Sequence, residues 1–143
     1  MSFITQQDLL LTVKQHILIQ ITSPDLATRQ DLIAAACGEA QAVLHRSLFQ
    51  RYDTAQIFSQ QGALRNADLV AHARNIALYV LYQRVDDENI PERITANYEN
   101  TMQLMLRVAD GDAALDLPRI QTGNPSAPYT KFRGGGERPR KLL

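Results

Sequence analysis

The 143-residue chain has the length of one ordinary domain, and its 45% hydrophobic content is enough to bury a core. Its first eleven residues lack a positively charged start followed by a long apolar run, and no window reaches the roughly 18 consecutive apolar residues of a membrane span. We therefore expect an unexported protein without a membrane partner. Cys37 is the only cysteine, which excludes an intrachain disulfide and a cysteine-rich metal site and fits a reducing cytoplasm.

The formal net charge is zero, but the two signs are distributed unevenly along the chain. Residues 119–143 contain six basic residues and one acid, Glu137, which gives a net charge of +5. Residues 1–118 contain nine basic and 14 acidic residues, a net charge of −5. This uneven charge distribution is informative about binding partners rather than about the fold, because oppositely charged parts of a chain can attract neighbouring molecules.

The first part of the chain predicts two short elements. Thr5 followed by Asp8 is typical of a helix start, since a threonine hydroxyl can cap backbone N–H groups and an acid suits the positive first turn. Residues 17–22 alternate ambiguously, so the second element is either a helix or a short strand. The sequence Ser23-Pro24-Asp25 ends it.

Two long helices are predicted in the middle of the chain. Residues 26–52 carry a helical apolar stripe with small residues at its centre, which permits close helix packing. Its members are Ile33, Ala36, Cys37, Ala40, Val43, Leu44 and Leu48. Residues 53–65 are polar and include Gly62, so they predict a connection. Asn66 then offers a cap to a helix that continues to Arg84.

A last helix follows the acidic sequence Asp86-Asp87-Glu88. Pro91 suits a first helical turn, and Gly111 supplies the stop. The apolar positions of this helix are Ile94, Tyr98, Met102, Met105 and Val108. No segment shows sustained strand alternation, and the sequence therefore predicts an all-α fold, a small bundle of about four helices with an extended C-terminal arm.

Residues 119–143, which we call the C-terminal arm, differ in composition from the helical body of residues 1–118. Proline and glycine recur through the arm, and its few apolar residues are too scattered to bury a face. Aromatic and basic residues together are nevertheless favoured at interfaces and in nucleic-acid binding. We expect the arm to become ordered on a partner.

Candidate catalytic and metal-binding residues are few. His16, His45 and His72 lack a spacing that would place two ligands on one helical face, so surface or packing roles are favoured over a ligand or acid–base role. Cys37 lies within the apolar stripe and is expected in the core. The acidic run at residues 86–88 suits a helix start better than a hard cation. We expect no enzymatic activity, no cofactor and no metal.

Other candidate motifs also favour structural interpretations. The glycines at residues 134–136 lack a Walker lysine, so a flexible hinge is favoured over a phosphate cradle. Tyr98, Met102 and Met105 fit a core stripe better than an exposed binding groove. Arg74 and Arg84 interrupt an apolar helix, which is typical of a solvated edge, with an inter-subunit ion pair as the alternative.

Three segments resemble a family of small phage and Mu-like prophage proteins. They are Phe3-Ile4-Thr5 with Asp8-Leu9, ARNIALYVLY at residues 73–82, and LMLRVADGDAALDLP at residues 104–118. The resemblance covers roughly residues 3–118, and its motifs are packing patterns rather than a catalytic signature. The chain departs from the family pattern at residues 53–65, where members often have a Pro-containing loop after the arginine-tyrosine found here as Arg51-Tyr52.

The resemblance implies a head-to-tail connector, or neck adaptor, of a tailed phage. Members of this family are regarded as virion proteins that form a ring of about twelve copies under the portal. The implied partners are other copies, the portal protein and a downstream neck, stopper or tail-terminator protein, with DNA only as channel cargo. The implied location is the virion neck, after assembly in the host cytoplasm.

The arm supplies the candidate contacts with the portal or an adjacent subunit. Tyr129 and Phe132 are expected to anchor it, and its arginines to orient it. The full candidate set is Arg119, Tyr129, Lys131, Phe132, Arg133, Arg138, Arg140 and Lys141. The alternative is a small nucleic-acid-binding protein that uses the basic arm, although the acidic body would repel a duplex.

Overall fold

The computed structural model describes residues 2–121, and they form a helical bundle. The helices in chain order are α1 at Gln6–Leu9, α2 at Gln15–Ile21, α3 at Leu26–Leu48, α4 at Thr54–Ser59, a 3₁₀ turn at Gly62–Leu64, α5 at Ala67–Val85 and α6 at Glu92–Asp110. Apart from one isolated bridge, no β-structure occurs between residues 2 and 121. The predicted all-α fold is confirmed.

The three long helices α3, α5 and α6 pack against one another and form the core. Alanines are fully buried on both α3 and α5, among them Ala40 and Ala77 at 0% exposure. Small side chains allow two helix backbones to approach closely, as the stripe on α3 predicted. Tyr79 of α5 and Tyr98 of α6 stack with ring centroids 3.9 Å apart. Met105 is buried, and Tyr98 and Met102 pack against the core, which supports their predicted packing role.

The helix boundaries follow from capping residues that the sequence displays. Asp25 accepts a hydrogen bond from the Thr28 N–H at 2.9 Å, and Asn66 accepts one from the Leu69 N–H at 2.9 Å. Gly111 follows α6 with a φ of 86°, a left-handed conformation that costs glycine little. Pro91 lies immediately before α6. These contacts satisfy backbone groups that a helix end leaves without partners.

Two parts of the chain differ from the sequence interpretation. Residues 17–22, for which helix and strand were both open, belong to helix α2 up to Ile21. Residues 53–65 are more than a connection, because they contain α4 and the 3₁₀ turn. Helix α4 begins where Asp53 accepts a hydrogen bond from the Gln56 N–H, and it brings Phe58 edge-on to Phe3 at 5.1 Å. The bundle thus has three long helices and three short ones between residues 2 and 121.

Candidate assembly interface

The start of the predicted arm is paired with the loop between α3 and α4. The Asp53 N–H donates to the Pro118 carbonyl at 2.9 Å, and the Ile120 N–H donates to the Arg51 carbonyl at 3.1 Å. These bonds form the isolated antiparallel bridge between Tyr52 and Arg119. The chain therefore remains attached to the body two residues beyond Pro118. The division into a body and an arm at that residue stays a prediction.

Tyr52 holds this segment through its hydroxyl and the face of its ring. The residue is 2% exposed, and its hydroxyl accepts a hydrogen bond from the Leu115 N–H at 2.8 Å. The Arg119 guanidinium lies over the ring, 5.1 Å from the centroid, in a cation–π contact. Arg119, predicted to bind the portal or a subunit, thus contacts its own body in the described structure.

Two arginines bind carbonyl groups at helix ends. Arg51 donates to the carbonyls of Val108 and Ala109 at the end of α6, at 3.2 and 2.7 Å. Arg84 donates to the carbonyls of Ile21 and Thr22 at the end of α2, at 3.0 and 2.9 Å. A cation stabilises the negative C-terminal end of a helix. Arg84 therefore has an intrachain role, and its predicted inter-subunit role stays a prediction.

Arg65 forms an ion pair that sequence reasoning missed. Its Nη1 donates to Asp8 Oδ2 at 2.7 Å and to the Phe3 carbonyl at 2.9 Å, while its Nε donates to the Gly62 carbonyl at 2.9 Å. Burial tends to raise the pKa of Asp8, but hydrogen bonds from Arg65 and from the Thr5 N–H outweigh it and lower that pKa. No local signal identifies the pair, because 57 positions separate its members.

Arg74 lies half-buried on α5 and faces the Arg65 pair across a surface pocket of about 300 Å³. Leu11, Gly62 and Val70 also line this pocket. The structure thus brings the predicted inter-subunit residue Arg74 next to the N-terminal helix, whereas Arg84 lies at the far end of α5. The two predicted inter-subunit arginines do not form one site.

His72 and Cys37 lie in different surroundings. His72 Nδ1 lies 2.8 Å from Thr101 Oγ1, and His72 Nε2 lies 3.6 Å from Asp68 Oδ1. The arrangement of Thr101, His72 and Asp68 resembles a catalytic triad. Thr101 is 0% exposed, however, and its hydroxyl cannot contact a substrate in this conformation. Burial raises the pKa of the Cys37 thiol to about 12, which suppresses the nucleophilic thiolate. Sequence reasoning missed the His72–Thr101 contact because it links two helices.

The acidic loop between α5 and α6 is exposed at Asp86, Asp87 and Glu88. Asp86 accepts hydrogen bonds from the Glu88 N–H and the Asn89 side chain, at 3.2 and 2.8 Å. Among residues 2–121, no group of three histidine, cysteine or acidic side chains is arranged to hold a metal ion.

Most of the predicted portal-binding residues lie outside the described residues. These are Tyr129, Lys131, Phe132, Arg133, Arg138, Arg140 and Lys141, together with the predicted hinge at residues 134–136. Their roles stay predictions.

Comparison with known families identifies the kind of protein. A family model described as Bacteriophage Mu, Gp36 matches residues 3–133. The chain belongs to the Bacteriophage Mu Gp36 family. No curated protein and no solved structure matches it.

Membership of the Gp36 family makes this chain a phage protein of the structural and assembly class, associated with the virion. The match extends beyond Pro118, where the resemblance seen in the sequence ended, and it includes Tyr129 and Phe132. In the part of this Gp36-family chain from residue 2 to residue 121, no helix is both long and apolar enough to cross a membrane.

Proposed function

We propose that the chain is a head-to-tail connector, a non-enzymatic adaptor that forms a ring of about twelve copies under the portal in the virion neck. Its partners are neighbouring copies, the portal protein and the downstream neck, stopper or tail-terminator protein. DNA passes through the ring as cargo. Membership of a phage family supports the virion assignment, and the charge distribution of the chain supports an assembly role.

The observation that carries the assembly role is the shortage of internal partners for the acidic side chains. Residues 2–121 contain 14 carboxylates, and within that part of the chain only those of Asp8 and Asp68 lie within ion-pair distance of a basic side chain. Several arginines bind backbone carbonyls instead, as Arg51 and Arg84 do. The surface of the body therefore keeps its negative charge for contacts with other molecules.

Residues 122–143 provide a matching positive charge. They contain five basic residues against Glu137, a net charge of +4. Tyr129 and Phe132 add two aromatic side chains of the type that anchors interfaces. We propose that this segment binds the portal or an adjacent subunit, with the aromatic rings buried in the contact and the arginines facing acidic groups.

A truncation that ends at Gln121 tests the docking role, because it keeps the bridge between Tyr52 and Arg119 intact. The full chain should be captured by immobilised portal protein, and the truncated chain should bind at least about tenfold more weakly. Arg46→Glu, at an exposed position on α3, is the matched control and should bind as the full chain does. If the truncated chain binds the portal with unchanged affinity, residues 122–143 have no docking role. If the full chain does not bind the portal, the connector proposal is wrong.

A salt titration with duplex DNA tests the nucleic-acid alternative with the same two chains. Under the connector proposal, both should bind DNA weakly and about equally, because the body is acidic. An affinity of the full chain that falls steeply with salt, and that is lost when residues 122–143 are removed, would favour DNA binding instead.

A further inference from the structure

The guanidinium of Arg74 lacks an acidic partner within residues 2–121. Its Nε is buried and makes no hydrogen bond there, and no carboxylate in this part of the chain lies within ion-pair distance of it. A buried guanidinium nitrogen without a partner is costly, since it has lost its water and gained nothing in exchange. A carboxylate of another molecule that reached the guanidinium through the pocket would balance its charge.

The surroundings of Arg74 combine one excess positive charge with an exposed apolar side chain. Asp8 lines the same pocket, but Arg65 already binds its carboxylate, so the positive charge of Arg74 is not balanced there. Leu11, which lines the pocket together with Arg74, is 75% exposed, the second-highest value for a large hydrophobic residue between residues 2 and 121. We call Leu11 and Arg74 the Arg74 patch.

We propose that the Arg74 patch binds the acidic loop between α5 and α6 of a second copy of this chain. Asp86, Asp87 and Glu88 in that loop are exposed and form no ion pair with a cation of the described residues. Val85, immediately before them, is 52% exposed. The loop therefore presents carboxylates beside an apolar side chain, which complements an arginine beside an exposed leucine.

The positions of the two surfaces require that the contact is made between copies. Arg74 and Asp86 are separated by 12 residues, so they lie about 18 Å apart along the axis of α5 at 1.5 Å per residue. Each copy thus carries a patch near one end of the helix and a loop at the other. In an open row of copies, a patch-to-loop contact leaves one patch and one loop unoccupied at the two ends, and a ring closes when these two meet. In this respect the inference rests on the proposed function.

Charge-reversed variants test this pairing through the mass of the assemblies in solution. One variant is Arg74→Glu, and the other combines Asp87→Arg with Glu88→Arg, which keeps the Asp86 hydrogen bonds that shape the loop. The unaltered chain should self-associate as its concentration rises, and each variant should do so at least about tenfold more weakly. A mixture of the two variants should associate again, because the intact patch of one meets the intact loop of the other, and the reversed charges on the remaining patch and loop also attract each other.

Two further variants control for folding and for unspecific charge effects. Arg74→Gln should weaken association less than Arg74→Glu, because it removes the attraction without adding repulsion. Arg46→Glu should associate as the unaltered chain does, since Arg46 lies on α3 outside the patch. Circular dichroism should show the same helix content in all variants. A chain carrying all three reversals should regain self-association.

Several results would overturn the pairing. They are an unaltered chain that stays monomeric at all concentrations, variants that associate as the unaltered chain does, and a mixture that forms no pair. An Arg74→Glu variant that loses only portal binding would assign the patch to the portal instead. Portal capture is measured separately. If the unaltered chain is monomeric but is captured by the portal, the proposed pairing between copies is wrong and the connector proposal still holds.

Discussion

At the scale of single residues, Asp8 links the stability of the N-terminal segment to pH. Its pKa lies below 3.8 in the folded chain, because hydrogen bonds from Arg65 and Thr5 outweigh the effect of burial. A carboxyl whose pKa is lowered by folding stabilises the fold fully above its unfolded pKa, and this contribution is lost as the pH falls through the folded pKa. The effect of the Asp8–Arg65 pair should therefore disappear only in acid.

Arg65→Ala should lower the free energy of unfolding by about 1–3 kcal/mol near neutral pH, because it leaves a mostly buried carboxylate and the Phe3 carbonyl without their donor. The difference from the unaltered chain should shrink as the pH falls below 3.8 and Asp8 becomes protonated. Urea denaturation followed by circular dichroism across this range measures it. In the Asp8→Asn background, the pH-dependent part of this difference in unfolding free energy should be absent. A difference that is independent of pH would contradict this role of Asp8.

Gly111→Ala should destabilise the chain by at least about 1–2 kcal/mol, because alanine is strained at a φ of 86°. The added Cβ would also lie 2.9 Å from Arg51 Nη2 and would disturb the arginine that binds the end of α6. Gly38→Ala is the matched control, since an added Cβ there meets nothing within 4 Å. In the middle of α3 it should stabilise the helix by about 0.5–1 kcal/mol. Thermal unfolding of both variants checks the opposite signs.

At the scale of elements, helix ends were predictable where a capping residue stands next to a periodic apolar stripe. Asn66 before α5 and Gly111 after α6 are such cases, and both helices lie where the sequence predicted them. Helix α4 was missed because its six residues are too few to display a helical period. Its stability depends on contacts that are distant in sequence, such as the packing of Phe58 on Phe3.

The segment after α6 depends on Tyr52, and the phenol hydroxyl can be tested separately from the ring. Tyr52→Phe should cost about 1–3 kcal/mol, because the Leu115 N–H would lose its acceptor. Hydrogen exchange should quicken at the Leu115 and Ile120 amides more than in the core of α5. Tyr79→Phe, which removes a hydroxyl elsewhere in the bundle, should leave those amides unaffected. Equal exchange rates in the Tyr52 variant and the unaltered chain would contradict this role.

At the scale of the whole molecule, the buried core of the described structure extends from Phe3 to Val108. A chain that ends at Gln121 should therefore unfold with a free energy within about 0.5 kcal/mol of that of the full chain. A chain that ends before Leu115 should lose about 2 kcal/mol or more, because Leu115 and Leu117 pack against the core and the bridge at Tyr52 would be removed. Denaturant unfolding of both truncations checks the limit of the folded unit.

The candidate site was less predictable than the fold because its contacts join residues far apart in sequence. Arg84 was recognised as an arginine on an apolar helix, but its carbonyl acceptors at Ile21 and Thr22 lie more than 60 positions away. The pattern that singled out Arg74 was identical, and only the fold separates the two by placing Arg84 at a helix end and Arg74 beside the exposed Leu11. Local patterns report periodicity, whereas the partner of a long side chain is decided by tertiary packing.

The stacked rings of Tyr79 and Tyr98 have a practical consequence for observing this molecule. The chain contains no tryptophan, so its near-ultraviolet signals come from five tyrosines and four phenylalanines. Two phenol rings with centroids 3.9 Å apart and planes inclined by 9° should couple electronically and dominate the near-ultraviolet circular dichroism. This signal would report the separation of α5 and α6 without any label. Assembly of the proposed multi-subunit ring could then be followed optically, and a change in the band would show that assembly reshapes the bundle instead of joining rigid subunits.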